Sequence, residues 1–346
     1  MSQKKFVLGT RVWSAVVLLT LAVATPVHTQ QNLRTQAEES NWTAYTRHDN
    51  MITYMRALQA TTRDMRTMSY GKSREGRDLP LAVFARPMVH TPEEALISGK
   101  PILMFQTNVH GGERTQRESI LQLMRELVTP GSEPNKALDQ VILLIAPQIN
   151  PDGFEASQNG QRGNLWGIDL NRDYIKLEQP EIANVVTNVY HRWYPHMIID
   201  GHNGGARPYN INYVTTANAS VDQALVSLSN NEIFQHVRQR NEEAGLKAFF
   251  YPGGNAEFWQ GVPHYPRIGM TYATFINSLG ITFESPGQTM ETGVKSGLIS
   301  YKAVLEWAVA NKQKMLDTVA NARRTTVEMG LLQDQQVMVD MEQVDH

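Results

Sequence analysis

Residues 102–113 read Ile-Leu-Met-Phe-Gln-Thr-Asn-Val-His-Gly-Gly-Glu, and this stretch joins an element of fold to a candidate site. The apolar run 102–105 predicts a buried strand that ends on the polar Gln106, Thr107 and Asn108. His110 follows just past the strand, Gly111 and Gly112 allow a sharp turn, and Glu113 opens an amphipathic helix over 113–127. A histidine at a strand end and a glutamate at the start of the next helix can converge on one point, as metal ligands must. The spacing alone is weak, because His90 and Glu93 repeat it. There Thr91, Pro92 and Glu94 read as N-cap, N1 and N3 of a helix, so capping and the helix dipole account for the acids.

Outward from this stretch, strands alternate with helices. A helix is expected over 51–68, with apolar Met51, Ile52, Met55 and Leu58 at helical spacing, then a glycine-marked turn at 71–77 and a strand at 79–84. Residues 141–146 (VILLIA) are almost purely apolar, as expected of a strand covered on both faces. A polar, glycine-rich loop spans 147–174, followed by a helix over 179–194 and a strand over 197–200 that delivers Gly201 and His202. Further on, 211–215 reads as a strand, 221–244 as helical, 251–267 as irregular, 281–283 as a strand ending at Glu284, and 301–324 as a helix. Alternation of this kind predicts one α/β domain with a largely parallel sheet flanked by helices, over about residues 42–325. Ligands in such folds bind at the carboxyl ends of strands, where three apolar runs here end at His110, His202 and Glu284.

The remaining composition narrows the function class. With 41% hydrophobic and 19% charged residues, the 346-residue chain is ordinary globular material. Lys4, Lys5 and Arg11 precede the apolar run 12–24, which ends Ala-Val-Ala, so residues 1–24 read as a secretory signal peptide and the product as exported to the periplasm or outside the cell. Residues 25–41 then read as a polar tether and 326–346 as a C-terminal tail. Loss of the leader takes the formal charge from −2 to −5, which favours neither nucleic acid nor an anionic membrane as partner. There is no cysteine, so an exported product relies on its core rather than on disulfides.

If His110 and Glu113 hold a metal, His202 is the leading third ligand, with room left around it by Gly201, Gly204 and Gly205. Two histidines and one glutamate with an open position form the ligand set of a catalytic zinc site, where bound water becomes a nucleophile near neutral pH. Glu284 is the candidate general base, emerging at the same sheet edge among apolar neighbours that raise its pKa. In the loop, Arg162, Asn171 and Arg172 can grip a carboxylate or stabilise an oxyanion. The other histidines, His191, His196 and His264, read as packing or surface residues.

Taken together, HGGE (110–113), NPDGF (150–154), RGNLWGIDLNRDY (162–174), IIDGH (198–202) and TFE (282–284) resemble, in order, the zinc carboxypeptidases of the M14 peptidase family, in a bacterial, secreted branch. The turn GKSREGR (71–77) resembles the start of the family's domain, so the resemblance covers about residues 45–310. It implies a twisted mixed sheet flanked by helices, one Zn2+ per chain on His110, Glu113 and His202, and Glu284 as the base. It also implies Arg162 at the scissile carbonyl and Asn171 with Arg172 on the substrate's C-terminal carboxylate. The substrate would then be a peptide or protein C-terminus. The substrate-contacting tyrosine of the family has no clear counterpart among Tyr251, Tyr265 and Tyr272, and Arg267 and Tyr272 stand as candidate substrate contacts. Two other readings remain open: a zinc amidohydrolase acting on acylamino acids or peptidoglycan stem peptides, and a secreted binding protein on a peptidase fold.

Overall fold

The computed structural model describes residues 33–251 and 264–344. The expected leader lies outside these residues, as does most of the irregular stretch 251–267. Eight strands form one sheet: β1 (Met65–Lys72), β2 (Asp78–Phe84), β3 (Ile102–Thr107), β4 (Ile142–Ala146), β5 (Met197–His202), β6 (Ile211–Thr215), β7 (Ala248–Phe250) and β8 (Leu279–Glu284). Their order across the sheet is β1-β2-β4-β3-β5-β8-β6-β7. The centre, β4-β3-β5-β8, is parallel, whereas β1 and β2 pair antiparallel on one side and β6 runs antiparallel to β8 on the other. The sheet is therefore mixed and largely parallel, in one α/β domain, as expected.

Both faces of the sheet are covered, which explains the unbroken apolar runs. Leu103, Phe105, Leu143, Ile145, Met197 and Ile199 pack with the helices His48–Gln59, Thr115–Val128 and Met290–Ala310. Ile102, Met104, Ile142, Leu144 and Ile198 point the other way, onto Ile182, Val185, Tyr190 and Ala273. Alternate residues thus serve alternate cores. Each fully buried Leu, Ile or Met side chain contributes about 1.5–3 kcal/mol from burial. Among the described residues no helix is long and apolar enough to cross a membrane.

Several boundaries differ from expectation. The helix expected over 51–68 stops at Gln59, and Met65–Lys72 forms β1 against β2. The apolar spacing that supports a helix ends at Leu58, and Thr61, Thr62 and Asp64 turn the chain between the two elements. The loop 147–174 contains a short helix, Pro151–Glu155, started by the Asn150 side chain, which accepts from Gly153 N. The last expected helix begins earlier, at Met290, and after a break at Asn311 helical backbone continues to Val344. In the segment expected as a tether, residues Gln36–Glu39 form one helical turn closed by a Thr35/Glu38 capping box. Glu38 is tied to Arg125 at 2.7 Å, and Thr46 binds the buried Glu118.

Candidate active site

The turn after β3 is held by its own backbone requirements. Asn108 adopts φ +58° and its side-chain amide donates to the carbonyls of His110, Gly111 and Glu113. Glu113 N donates back to His110 O at 2.9 Å, so Glu113 lies in this turn, two residues before the helix Thr115–Val128 begins. A Cβ on Gly111 would lie 2.2 Å from the Gly153 backbone, so only glycine lets the turn seat against the helix Pro151–Glu155. The rival pair at His90 serves as expected: the Thr91 side chain accepts from Glu94 N with Pro92 in the first turn.

His202 arrives from the end of β5, and its ring meets this turn. Its Nδ1 lies 3.1 Å from His110 Nδ1 and 2.8 Å from Glu113 Oε2, while His110 Nδ1 lies 2.9 Å from Glu113 Oε1. The rear nitrogens face carboxylates: His110 Nε2 lies 2.9 Å from Asp169 Oδ1, and His202 Nε2 lies 2.9 Å from Asp200 Oδ2. With a cation between the ligands, Asp169 and Asp200 would each accept the Nε2 hydrogen, leaving each Nδ1 a lone pair turned inward beside the Glu113 carboxylate. Two lone pairs and a carboxylate facing one point repel one another unless a positive charge sits between them. Burial pulls the His202 pKa down, yet the Asp200 and Glu113 carboxylates outweigh it and hold the imidazole well above its usual range. Burial raises Glu113, but His202 and His110 overcome it and keep its carboxyl well below the usual range. The donor set fits a divalent cation of the zinc type with three protein ligands.

Glu284 ends β8 directly beside His202 in the parallel register. Burial, opposed by His202 and assisted by the negative charge of Glu113 and Asp200, pushes its carboxyl up to about 8. A Cβ on Gly204 would sit 2.6 Å from Glu284 Oε2, so the small residues after His202 keep this carboxylate accessible. His110, Glu113, His202 and Glu284 open into a cleft of about 150 Å3 that Arg162, Asn171 and Arg172 also line. Arg162 reaches Glu113 Oε1 at 3.3 Å and Asp169 Oδ2 at 3.1 Å. Asn171 accepts from Gly269 N at 2.9 Å, and Arg172 is half-buried beside it. Cavities of about 590 and 290 Å3 are larger, but among the described residues only this cleft gathers three ligand atoms. Chemistry, not size, marks the site.

Two expected contacts fall elsewhere. Tyr272 turns its hydroxyl to His191 Nε2 at 2.9 Å and packs among Tyr174 and Tyr190. Arg267 is exposed, with its guanidinium 5.0 Å from the Tyr265 ring, lining the neighbouring cavity that shares Arg172. Tyr251, which spacing did not single out, lines the cleft, and burial near Glu284 raises its hydroxyl to about 12. Ile268, Met270 and Thr282 supply the uncharged part of the lining. Asp169 and Asp200 also escaped the sequence reading. Each lies two residues from a residue that it singled out, and for Asp200 the period of two along β5 places it on the His202 face.

Known proteins share parts of this sequence and this fold. Carboxypeptidase 2 of Trichophyton tonsurans is 26% identical over 306 residues, covering 81% of this chain and 55% of that protein. Carboxypeptidase D of Drosophila melanogaster is 33% identical over 172 residues, covering 44% of this chain and 11% of that one. The chain thus spans about half the length, or less, of these curated relatives. In fold it resembles a metallo-carboxypeptidase from Burkholderia cenocepacia, with a TM-score of 0.60 at 18% identity over 77% of this chain and 70% of that one. The zinc carboxypeptidase family, Peptidase M14, matches residues 51–249, and the chain belongs to that family.

Proposed function

We propose that this protein is an exported metallocarboxypeptidase that binds one Zn2+ and hydrolyses the last peptide bond of peptides or proteins. The observation that carries the reading is the single cleft that joins a three-ligand site, a buried carboxylate and two groups suited to a carboxylate. His110, Glu113 and His202 would hold the ion, which when bound supplies a Lewis acid and offsets the negative charge around Glu284. Glu284 takes the proton of the attacking water and hands it to the leaving amine, a role worth about 10²–10⁴ in rate. Arg162, 3.3 Å from Glu113 Oε1, would stabilise the oxygen that becomes negative as the carbonyl is attacked. Asn171 and Arg172 hold the free α-carboxylate of the substrate, so that only the terminal bond reaches Glu284. The basic and apolar pattern of residues 1–24 supports export.

The deciding experiment compares a peptide, its C-terminal amide and an N-acylamino acid as substrates of the zinc-loaded protein. Release of the last residue from the free acid, with the amide left intact, is the expected result. Hydrolysis of the acylamino acid alone would move the protein to the amidohydrolases.

A further inference from the structure

Asp200 is buried at 1% exposure, and its Oδ1 makes no hydrogen bond. A carboxylate in such a place is costly, and an uncharged residue would cost less. What Asp200 contributes is one directed acceptor, Oδ2, at 2.9 Å from His202 Nε2. A competitor faces the same ring nitrogen. The Asn171 side-chain amide nitrogen lies 3.4 Å from Nε2, while its Oδ1 is already committed to Gly269 N. Those two neighbours ask for opposite tautomers. The carboxylate needs hydrogen on Nε2, whereas the amide donor needs a lone pair there, which would place the hydrogen on Nδ1. Hydrogen on Nδ1 would point at His110 Nδ1 and Glu113 Oε2 and would block ligation by His202.

We propose that Asp200 is a positioning residue that fixes the Nε2–H tautomer of His202 against Asn171, and so makes His202 a competent metal ligand. The inference rests on the triad as the metal site, and its test separates the two. Protein stripped of metal is titrated with Zn2+ against a chromophoric chelator, for the unaltered chain, Asp200→Ala, Asp200→Asn and Asp200→Ala with Asn171→Ala. The unaltered chain should bind one Zn2+; failure to bind would overturn the site and the inference together. Asp200→Ala should bind about 10–100-fold more weakly, in the range usual for groups behind metal ligands. Asp200→Asn, which keeps a carbonyl acceptor, should lie between, and it carries the test should the alanine variant fail to fold. Removing the competing donor in the double variant should recover part of the loss. Melting of the stripped proteins checks that each variant remains folded. Parental zinc affinity in a folded Asp200→Ala, or no recovery in the double variant, would overturn the assignment while leaving the metal site standing.

Discussion

Acidification should unstitch the amino ends of the central strands through one histidine. His196 precedes β5 and binds β3 twice: its Nδ1 accepts from Ile102 N at 3.0 Å, and its own N donates to Ile102 O at 2.7 Å. Its carbonyl accepts from Leu279 N at the start of β8. Nδ1 can accept only while the ring is neutral. Burial, aided by the nearby Arg323 cation, depresses the ring from the usual 6.5 to about 4. The folded pKa is therefore below the unfolded one, and the unfolded chain binds the extra proton between those values. Stability is full above about 6.5, falls as pH drops through the window, and levels below about 4. Over the whole window the 2.5-unit difference corresponds to about 3 kcal/mol, of which about 2 kcal/mol is lost between pH 7 and pH 5. Denaturant unfolding of the stripped protein at pH 7, 6 and 5 measures this, with His196→Asn as the control. Asparagine keeps an acceptor for Ile102 N but does not titrate. The parent should lose about 2 kcal/mol more than the variant between pH 7 and 5, other titrating groups cancelling in the difference. Parallel curves for the two proteins would refute the argument.

Two further outcomes follow from the cleft. Glu284→Gln should lower kcat on a peptide with a free C-terminus by at least about 10²-fold while zinc stoichiometry stays at one per chain; near-parental turnover would remove Glu284 from the proton path. Gly111→Ala should destabilise the protein by about 1–3 kcal/mol, because the new methyl would meet the Gly153 backbone at 2.2 Å. Denaturant melts with a parallel zinc titration check it, and unaltered stability with parental zinc affinity would show that the turn can move freely.

The sequence disclosed most where pattern and chemistry coincide. The runs at 102–105, 141–146 and 197–200 are apolar because both sheet faces are buried, and each is a central parallel strand. His110, His202 and Glu284 could be proposed because they follow apolar runs, and Glu113 because it lies three residues past His110 at the start of the expected helix. The start of the helix Met290–Ala310 was hidden by Gly293 and Gly297, which lower helix propensity. Those glycines answer a tertiary need: a Cβ there would lie 2.6 Å from Thr115 Cγ2 and 2.4 Å from Ser119 Oγ of the helix packed against it. β1 was hidden by the opposite error, because helical spacing in Met51–Leu58 was extended past Thr61 and Thr62. Tyr251 could not be placed from spacing, since its N donates to Tyr213 O on β6, and β6 in turn pairs with β8. Pairing across a sheet is a long-range fact that no local pattern carries.

The same pairing explains why the site has depth. On one face, register aligns Met104, Ile198 and Gly280 in a first row and Gln106, Asp200 and Thr282 in a second. His202 and Glu284 occupy the third, with Asn108 two residues beyond Gln106 on the adjoining chain. Read toward the carboxyl ends, the face passes from nonpolar side chains, through groups that orient, to groups that can react. Gln106 spends both ends of its amide on Tyr174 and Tyr190, so it locks the packing beneath the site. Asp200, in the same row, spends one oxygen on His202 and nothing on the core. A one-residue slip of β5 would send both Asp200 and His202 to the opposite face. The opposite face resists that slip at Gly201, where a Cβ would lie 2.3 Å from the Tyr301 hydroxyl and 2.7 Å from Thr107 Cγ2, so neither Asp200 nor His202 fits in its place. The close packing that admits only glycine at 201 therefore also fixes which way His202 faces.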